Sequence, residues 1–249
     1  MNPNPPEPVP HPFLFQSWDV ISFIHWGFDP AVVRPLLPKA LELDLYDGQA
    51  WVGLLPFHAV KLRPPFLPPV PWVSFYPEVN LRTYVRGPEG GSGVWFFSLD
   101  LARFLAAIGA RVLTRLPHMW TRMQMRREGN RVHYEGARAW PGNVCPAVCK
   151  CGIEIGADMP YPNVSDLIVF LSARFRMYTE WYGGLRYGQV EHPAWPMKHA
   201  RLLYLEETLL KAAGLPNPTT DPVVCFSEGV NTRIQWFKKI GATASAVAR

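Results

Sequence analysis

The chain has 249 residues, 48% of them hydrophobic and 18% charged, so a sizeable core can form and wholesale disorder is excluded. The formal net charge of +5 is dispersed and no Lys/Arg run exceeds two residues, which argues against a nucleic-acid partner. No apolar run approaches the ~20 residues of a membrane span, no charged-then-apolar leader precedes Phe13, and the four Cys read as reduced thiols, so the expectation is a cytoplasmic protein with no membrane partner.

Six of the 27 prolines fall in residues 1–12, which read as a disordered or extended arm. Residues 13–26 are aromatic and β-prone. Asp29 and Pro30 open a short helix that Pro38 ends. Strands follow at 41–46 and 49–62 around the turn Asp47-Gly48. Residues 63–73 hold five prolines, cannot pair inside a sheet, and read as an apolar loop. This loop would be either a flap over a site or a subunit contact, the latter making a homo-oligomer.

Residues 74–86 form the strand of most interest. Tyr76, Glu78, Asn80, Arg82 and Tyr84 share one face; Pro77, Val79, Leu81, Thr83 and Val85 share the other. The second face is an ordinary core face. The first carries groups that are costly to bury without partners, so it either meets solvent or lines a hollow that receives a small ligand. The turn formers of 87–92 join this strand to the apolar segment 93–100 as a hairpin.

Residues 101–116 fit a helix capped by Asp100 and stopped by Pro117. A second hairpin turns at Glu128-Gly129-Asn130, residues 141–150 read as irregular, and 151–155 as a short strand. Ser165 caps a helix over 165–175. Strands are expected at 185–191 and 198–204, a helix at 205–213, closing strands at 223–227 and 231–240, and a flexible tail at 241–249. No long linker intervenes, so 13–240 reads as a single domain.

Several segments together resemble a known family. Phe23-Ile24-His25-Trp26, Leu37-Pro38, Asp47-Gly48-Gln49-Ala50-Trp51-Val52-Gly53, Glu78-Val79-Asn80-Leu81-Arg82-Thr83-Tyr84-Val85 and Gly93-Val94-Trp95-Phe96-Phe97-Ser98-Leu99 look like the YqjF-like domain family. That family is more remotely similar to acetoacetate decarboxylase. The resemblance covers residues 13–240 and implies an α+β fold, mainly an antiparallel β-barrel or cone with peripheral helices and a ligand cavity. It implies no particular reaction.

In acetoacetate decarboxylase a lysine, activated by a second lysine, forms a Schiff base with the ketone, and a glutamate sits beside it. The glutamate matches Glu78. The lysines would fall near residues 113–116, where there are none; no lysine occurs between Lys61 and Lys150. Arginine does not deprotonate in proteins and cannot replace them. An imine-forming decarboxylase is therefore not expected.

The candidate catalytic residue is Glu78, whose pKa would rise in an apolar hollow and fall if Arg82 or Arg115 reached it. Candidate ligand contacts are Asn80, Arg82, Tyr84, Trp95, Phe97, Arg115, His118 and Trp120, although aromatic stripes in β-rich chains are more often core. Cys145, Cys149 and Cys151 match no common zinc spacing, and no phosphate loop or nucleophile elbow occurs, so neither metal nor cofactor is expected. Three readings stay open: a non-imine, lyase-like enzyme acting on a carbonyl or carboxylate compound, a non-catalytic ligand-binding or sensor protein, and a protein-interaction module using the 63–73 loop.

Overall fold

The computed structural model describes residues 2–141 and 147–240. The architecture is largely β, with helices reduced to short pieces, where an α+β chain was expected. The strands are β1 (Leu14–Phe28), β2 (Glu42–Leu43), β3 (Leu45–Tyr46), β4 (Gln49–Arg63), β5 (Tyr76–Arg86), β6 (Ser92–Leu101), β7 (His118–Glu128), β8 (Arg131–Trp140), β9 (Val148–Asp158), β10 (Arg176–Trp181), β11 (Gly184–Glu191), β12 (Met197–Glu207), β13 (Val223–Ile234) and β14 (Lys238–Lys239). The helices are α1 (Pro30–Val33), α2 (Phe104–Thr114), α3 (Asp166–Ser172) and α4 (Leu209–Ala212).

All strands join one sheet in the order β14-β11-β10-β6-β7-β8-β9-β12-β13-β1-β4-β5-β2, with β3 on β4. Two further pairings, β5–β6 and β11–β13, tie together strands that are distant in this order. Most neighbours are antiparallel, but β6 runs parallel to both β7 and β10. Its link to β7 is the crossover helix α2, because parallel strands cannot be joined by a tight turn.

Capping follows local chemistry at two helices. The Ala31 N–H donates to Asp29 Oδ1 (2.8 Å) ahead of α1, and the Ile168 N–H donates to Ser165 Oγ (3.3 Å) ahead of α3. At α2 the expectation fails. Arg103 occupies the N-cap position without a side-chain hydrogen bond. Asp100 stays in β6, where it accepts from Arg138 Nε (2.7 Å), Arg138 Nη2 (2.9 Å) and Thr121 Oγ1 (2.9 Å). A fork-like guanidinium contact is stronger than one cap bond, so the tertiary partner wins.

Other departures have similar causes. The helix expected over 205–213 begins only at Leu209, because Leu205 and Glu207 still pair with Cys151 and Cys149 of β9. Of the closing strands expected at 223–227 and 231–240, β13 runs unbroken through Val223–Ile234 along β1, and Lys238–Lys239 form the separate β14 on β11. Strand β10 had no expected counterpart; it turns into β11 through Tyr182-Gly183, both at positive φ, as a tight hairpin requires.

In the proline-rich arm, Val9 is fully buried and its N–H donates to a Glu191 carboxylate oxygen (2.6 Å). In the 63–73 loop Phe66, Leu67, Val70 and Trp72 are exposed, and the Arg103 guanidinium lies 4.5 Å over the Trp72 ring. Cys149, Cys151 and Cys225 are buried free thiols; Cys145, like the tail 241–249, lies outside the described residues. Among the described residues no helix is long and apolar enough to cross a membrane.

Candidate functional site

Strand β5 is buried on both faces over most of its length. Val79 and Leu81 enter one core cluster, with Ile24, Val52 and Leu54. Tyr76, Glu78, Asn80 and Arg82, alternating with them, line a hollow on the other side. Strands β1, β4, β6, β11 and β13 and helix α2 also contribute side chains to this hollow. It holds about 130 Å³ of space for the centre of a water-sized sphere, against the roughly 10–15 Å³ that a single water needs on that measure. Among the described residues, no residue of the 63–73 loop lines it, and neither does any lysine.

The electrostatics centre on Glu78. Its side chain is buried, and no described residue hydrogen-bonds its carboxyl. Burial, and then the negative charge of Asp100, push its pKa up from 4.5 to about 8, so at neutral pH it is a neutral acid. No arginine reaches it closely enough to reverse the shift. Arg82 sits four residues along the strand, about 13 Å away. One of its terminal nitrogens donates to the Leu171 carbonyl (3.1 Å), while Nε is buried without a partner among the described residues.

Two histidines join this wall. Burial lowers both His118 and His192 to about 4, which leaves neutral imidazoles at physiological pH. His192 Nδ1–H donates to the Pro193 carbonyl (2.8 Å), and the ring packs against Phe175 and Trp195. Like Arg82 Nε, Asn80 Oδ1 and His118 Nδ1 are buried without partners among the described residues. Each unmet group costs about 1–3 kcal/mol, and their concentration around one hollow singles it out.

Thus Glu78, Asn80, Arg82 and His118 line the hollow, whereas Tyr84, Trp95, Phe97, Arg115 and Trp120 do not. Tyr84 is fully buried and donates to the Leu171 carbonyl (2.8 Å), so it accepts from His25 Nε2 (2.6 Å). That hydrogen-bond pattern assigns the His25 tautomer as Nε2–H. Gly53 makes room for the ring, since a Cβ there would fall 2.5 Å from His25 Nε2.

The absence of Trp95 and Phe97 has one cause, a β-bulge. Asn80 pairs with Leu99 and Leu81 with Ser98, but Arg82 pairs with Phe96. The extra residue reverses the alternation of β6. Val94, Phe96 and Leu99 therefore face the hollow, while Trp95 and Phe97 border an outer groove. Arg115 is the left-handed C-cap of α2 and turns outward to Tyr182. Trp120 packs edge-on against Phe104, 5.2 Å away.

Sequence reasoning missed Arg174 and His192, both of which line the hollow. Arg174 is fixed by Asp44 and by the Phe170 carbonyl (2.6 Å). Its one sequence signal is its place just past a helix C-terminus, where cations are favoured.

The fold is that of the acetoacetate decarboxylase-like proteins. Similar solved structures are an acetoacetate decarboxylase-like enzyme from Sphingomonas wittichii RW1 (TM-score 0.61, 12% identity, 92% of each chain), the enduracididine biosynthesis enzyme MppR complexed with pyruvate (0.61, 11%, 94% of this chain and 92% of that one), and acetoacetate decarboxylase from Legionella pneumophila subsp. pneumophila str. Philadelphia 1 (0.58, 14%, 97% and 90%). Within that fold the chain belongs to the DUF2071 family, described as an uncharacterized conserved protein, whose model matches residues 15–231. It is 34% identical to the uncharacterized protein YqjF of Bacillus subtilis (strain 168) over 214 residues, 86% of each chain.

Among the described residues lining the hollow there is no lysine to form an imine. Incubation with acetoacetate or pyruvate and then sodium borohydride is expected to leave the protein's mass unchanged. A trapped adduct would show that a lysine reaches the site.

Proposed function

We propose that the sheet closes as a cone-like barrel around the hollow and that the hollow binds a small carboxylate- or carbonyl-bearing molecule. Arg82 anchors the ligand's carboxylate through its unpartnered Nε, and Glu78 serves as the acid/base group. Below its pKa of about 8, Glu78 gives a proton to a developing oxyanion on the ligand and takes it back in the reverse sense. The reaction is lyase-like or another acid/base conversion that proceeds without a covalent lysine. One observation carries this reading: a neutral, unbonded Glu78 carboxyl and a half-free Arg82 guanidinium share one wall of the hollow. The pyruvate of the MppR complex supports the same ligand chemistry.

Arg82→Gln is expected to weaken carboxylate binding roughly 10- to 100-fold, the worth of about 1.5–3 kcal/mol for a hydrogen bond to a charged group. The fold should survive, because the Leu171 carbonyl keeps its bond from Tyr84. Calorimetric titration with a panel of small oxo and carboxylic acids, beside native mass spectrometry for retained molecules, provides the check. A wild-type protein that binds no such acid, or an unaltered affinity in Arg82→Gln, would defeat the reading. Turnover lost in Glu78→Gln with binding intact marks an enzyme; binding with no turnover in the wild type marks a carrier or sensor.

A further inference from the structure

The hollow has two unlike walls, and they are adjacent strands. Polar groups come from β5; the facing residues of β6 are apolar. The register sets them side by side, with Asn80 opposite Leu99 and Arg82 opposite Phe96. Directly paired residues stand about 4.5–5.5 Å apart at Cβ, so Arg82 and Phe96 rise side by side from adjoining strands into the hollow. Beyond Phe96 the lining continues through Val94, Met177, Val190 and Phe237. These residues belong to one contiguous apolar cluster. They offer a ligand dispersion contacts, and the one polar group beside them is the buried, unpartnered Gln235 Oε1 next to Ile234.

Size sharpens the argument. A hollow of about 130 Å³, at the roughly 10–15 Å³ per water of the same measure, suits a molecule on the order of ten non-hydrogen atoms. A three-carbon oxo acid anchored on Arg82 fills the polar wall and leaves the apolar cluster unfilled. Such a void forfeits the contacts that packing would give.

We infer that the ligand is a monocarboxylic acid with an aromatic or branched apolar body, its carboxylate on Arg82 and its body laid across Phe96 toward Val94, Met177, Val190 and Phe237. This rests on the carboxylate-binding reading above and adds the ligand's class. The body is compact, in keeping with that volume. Arg174, also at the hollow, is held by Asp44, a carboxylate that it shares with Arg86.

Trp18 and Trp195 line the hollow, so ligand binding can be followed by intrinsic fluorescence. Titrations with 3-phenylpropanoate, phenylpyruvate and 4-methyl-2-oxopentanoate are compared with pyruvate and acetoacetate, and 3-phenylpropanamide tests the need for charge. The expected result is at least tenfold tighter binding of the bulky acids than of the small ones, with the amide losing at least tenfold against its acid. Met177→Trp, which fills the apolar end, is expected to abolish binding of the bulky acids while leaving pyruvate affinity within about twofold. If that variant does not fold, Val190→Phe is read in the same way.

Small acids that bind as tightly as bulky ones, or a filled apolar end that leaves the bulky acids unaffected, would overturn the inference while the carboxylate-binding reading stands. An amide as good as its acid, or no binding of either class, would overturn both.

Discussion

Replacing Glu78 by Gln is expected to stabilise the protein at alkaline pH and to flatten its stability against pH. The wild-type carboxyl titrates near 8 in the folded state and near 4.5 when unfolded. Below about 4.5 both states hold the proton and Glu78 contributes no slope. Between the two values only the unfolded chain releases it, so folding stability falls by about 1.4 kcal/mol per pH unit as pH rises. Above about 8 both states are ionised and the loss is complete, up to about 5 kcal/mol by this linkage. The amide of the variant stays neutral throughout. Urea denaturation of the two proteins at pH 5 and pH 9 tests this: near-equal stability at the lower pH and a large advantage of Glu78→Gln at the higher. Parallel pH profiles would mean that this carboxyl does not titrate inside the hollow. The same ionisation should weaken carboxylate binding by the wild type above pH 8, and not by the variant.

Asp100→Asn is expected to destabilise the protein by about 3–5 kcal/mol, the usual cost of removing one partner of a buried ion pair. Asp100 and Arg138 are almost wholly enclosed, with side-chain exposures of 2% and 5%, and Thr121 completes the carboxylate's hydrogen bonding. The substitution strips a buried guanidinium of this carboxylate. A drop in the urea midpoint without a change in slope is the measurement. A second consequence reaches the hollow. Asp100 pairs with Val79, next to Glu78, and its charge adds to burial in raising the Glu78 pKa. With that charge gone the Glu78 pKa should fall, and the pH above which ligand binding weakens should move down with it. A destabilised variant with an unmoved profile would show that burial alone sets the Glu78 pKa.

Much of the fold is legible in the chain because its signals are local. Asp29-Pro30 and Ser165 start helices by satisfying free N–H groups, whatever surrounds them. The turn formers after Arg86 and at Gly129 produce the two hairpins. The alternation of β5 placed Glu78, Asn80 and Arg82 on one face before any neighbour was known. Asp100, by contrast, has the right residue type and position for a helix cap, and it leaves that role because Arg138, 38 residues away, offers more.

The sequence by itself determined that this is a β-rich chain with one polar-faced strand, because composition and period-two patterning depend on near neighbours alone. The tertiary structure decided that the polar face looks into a hollow, that a bulge swaps Trp95 and Phe97 for Val94 and Phe96, and that Arg174 and His192 arrive from segments distant in the chain. Those outcomes depend on strand register and on which charges meet. Pairings between residues far apart in the chain set both, and no local pattern encodes them.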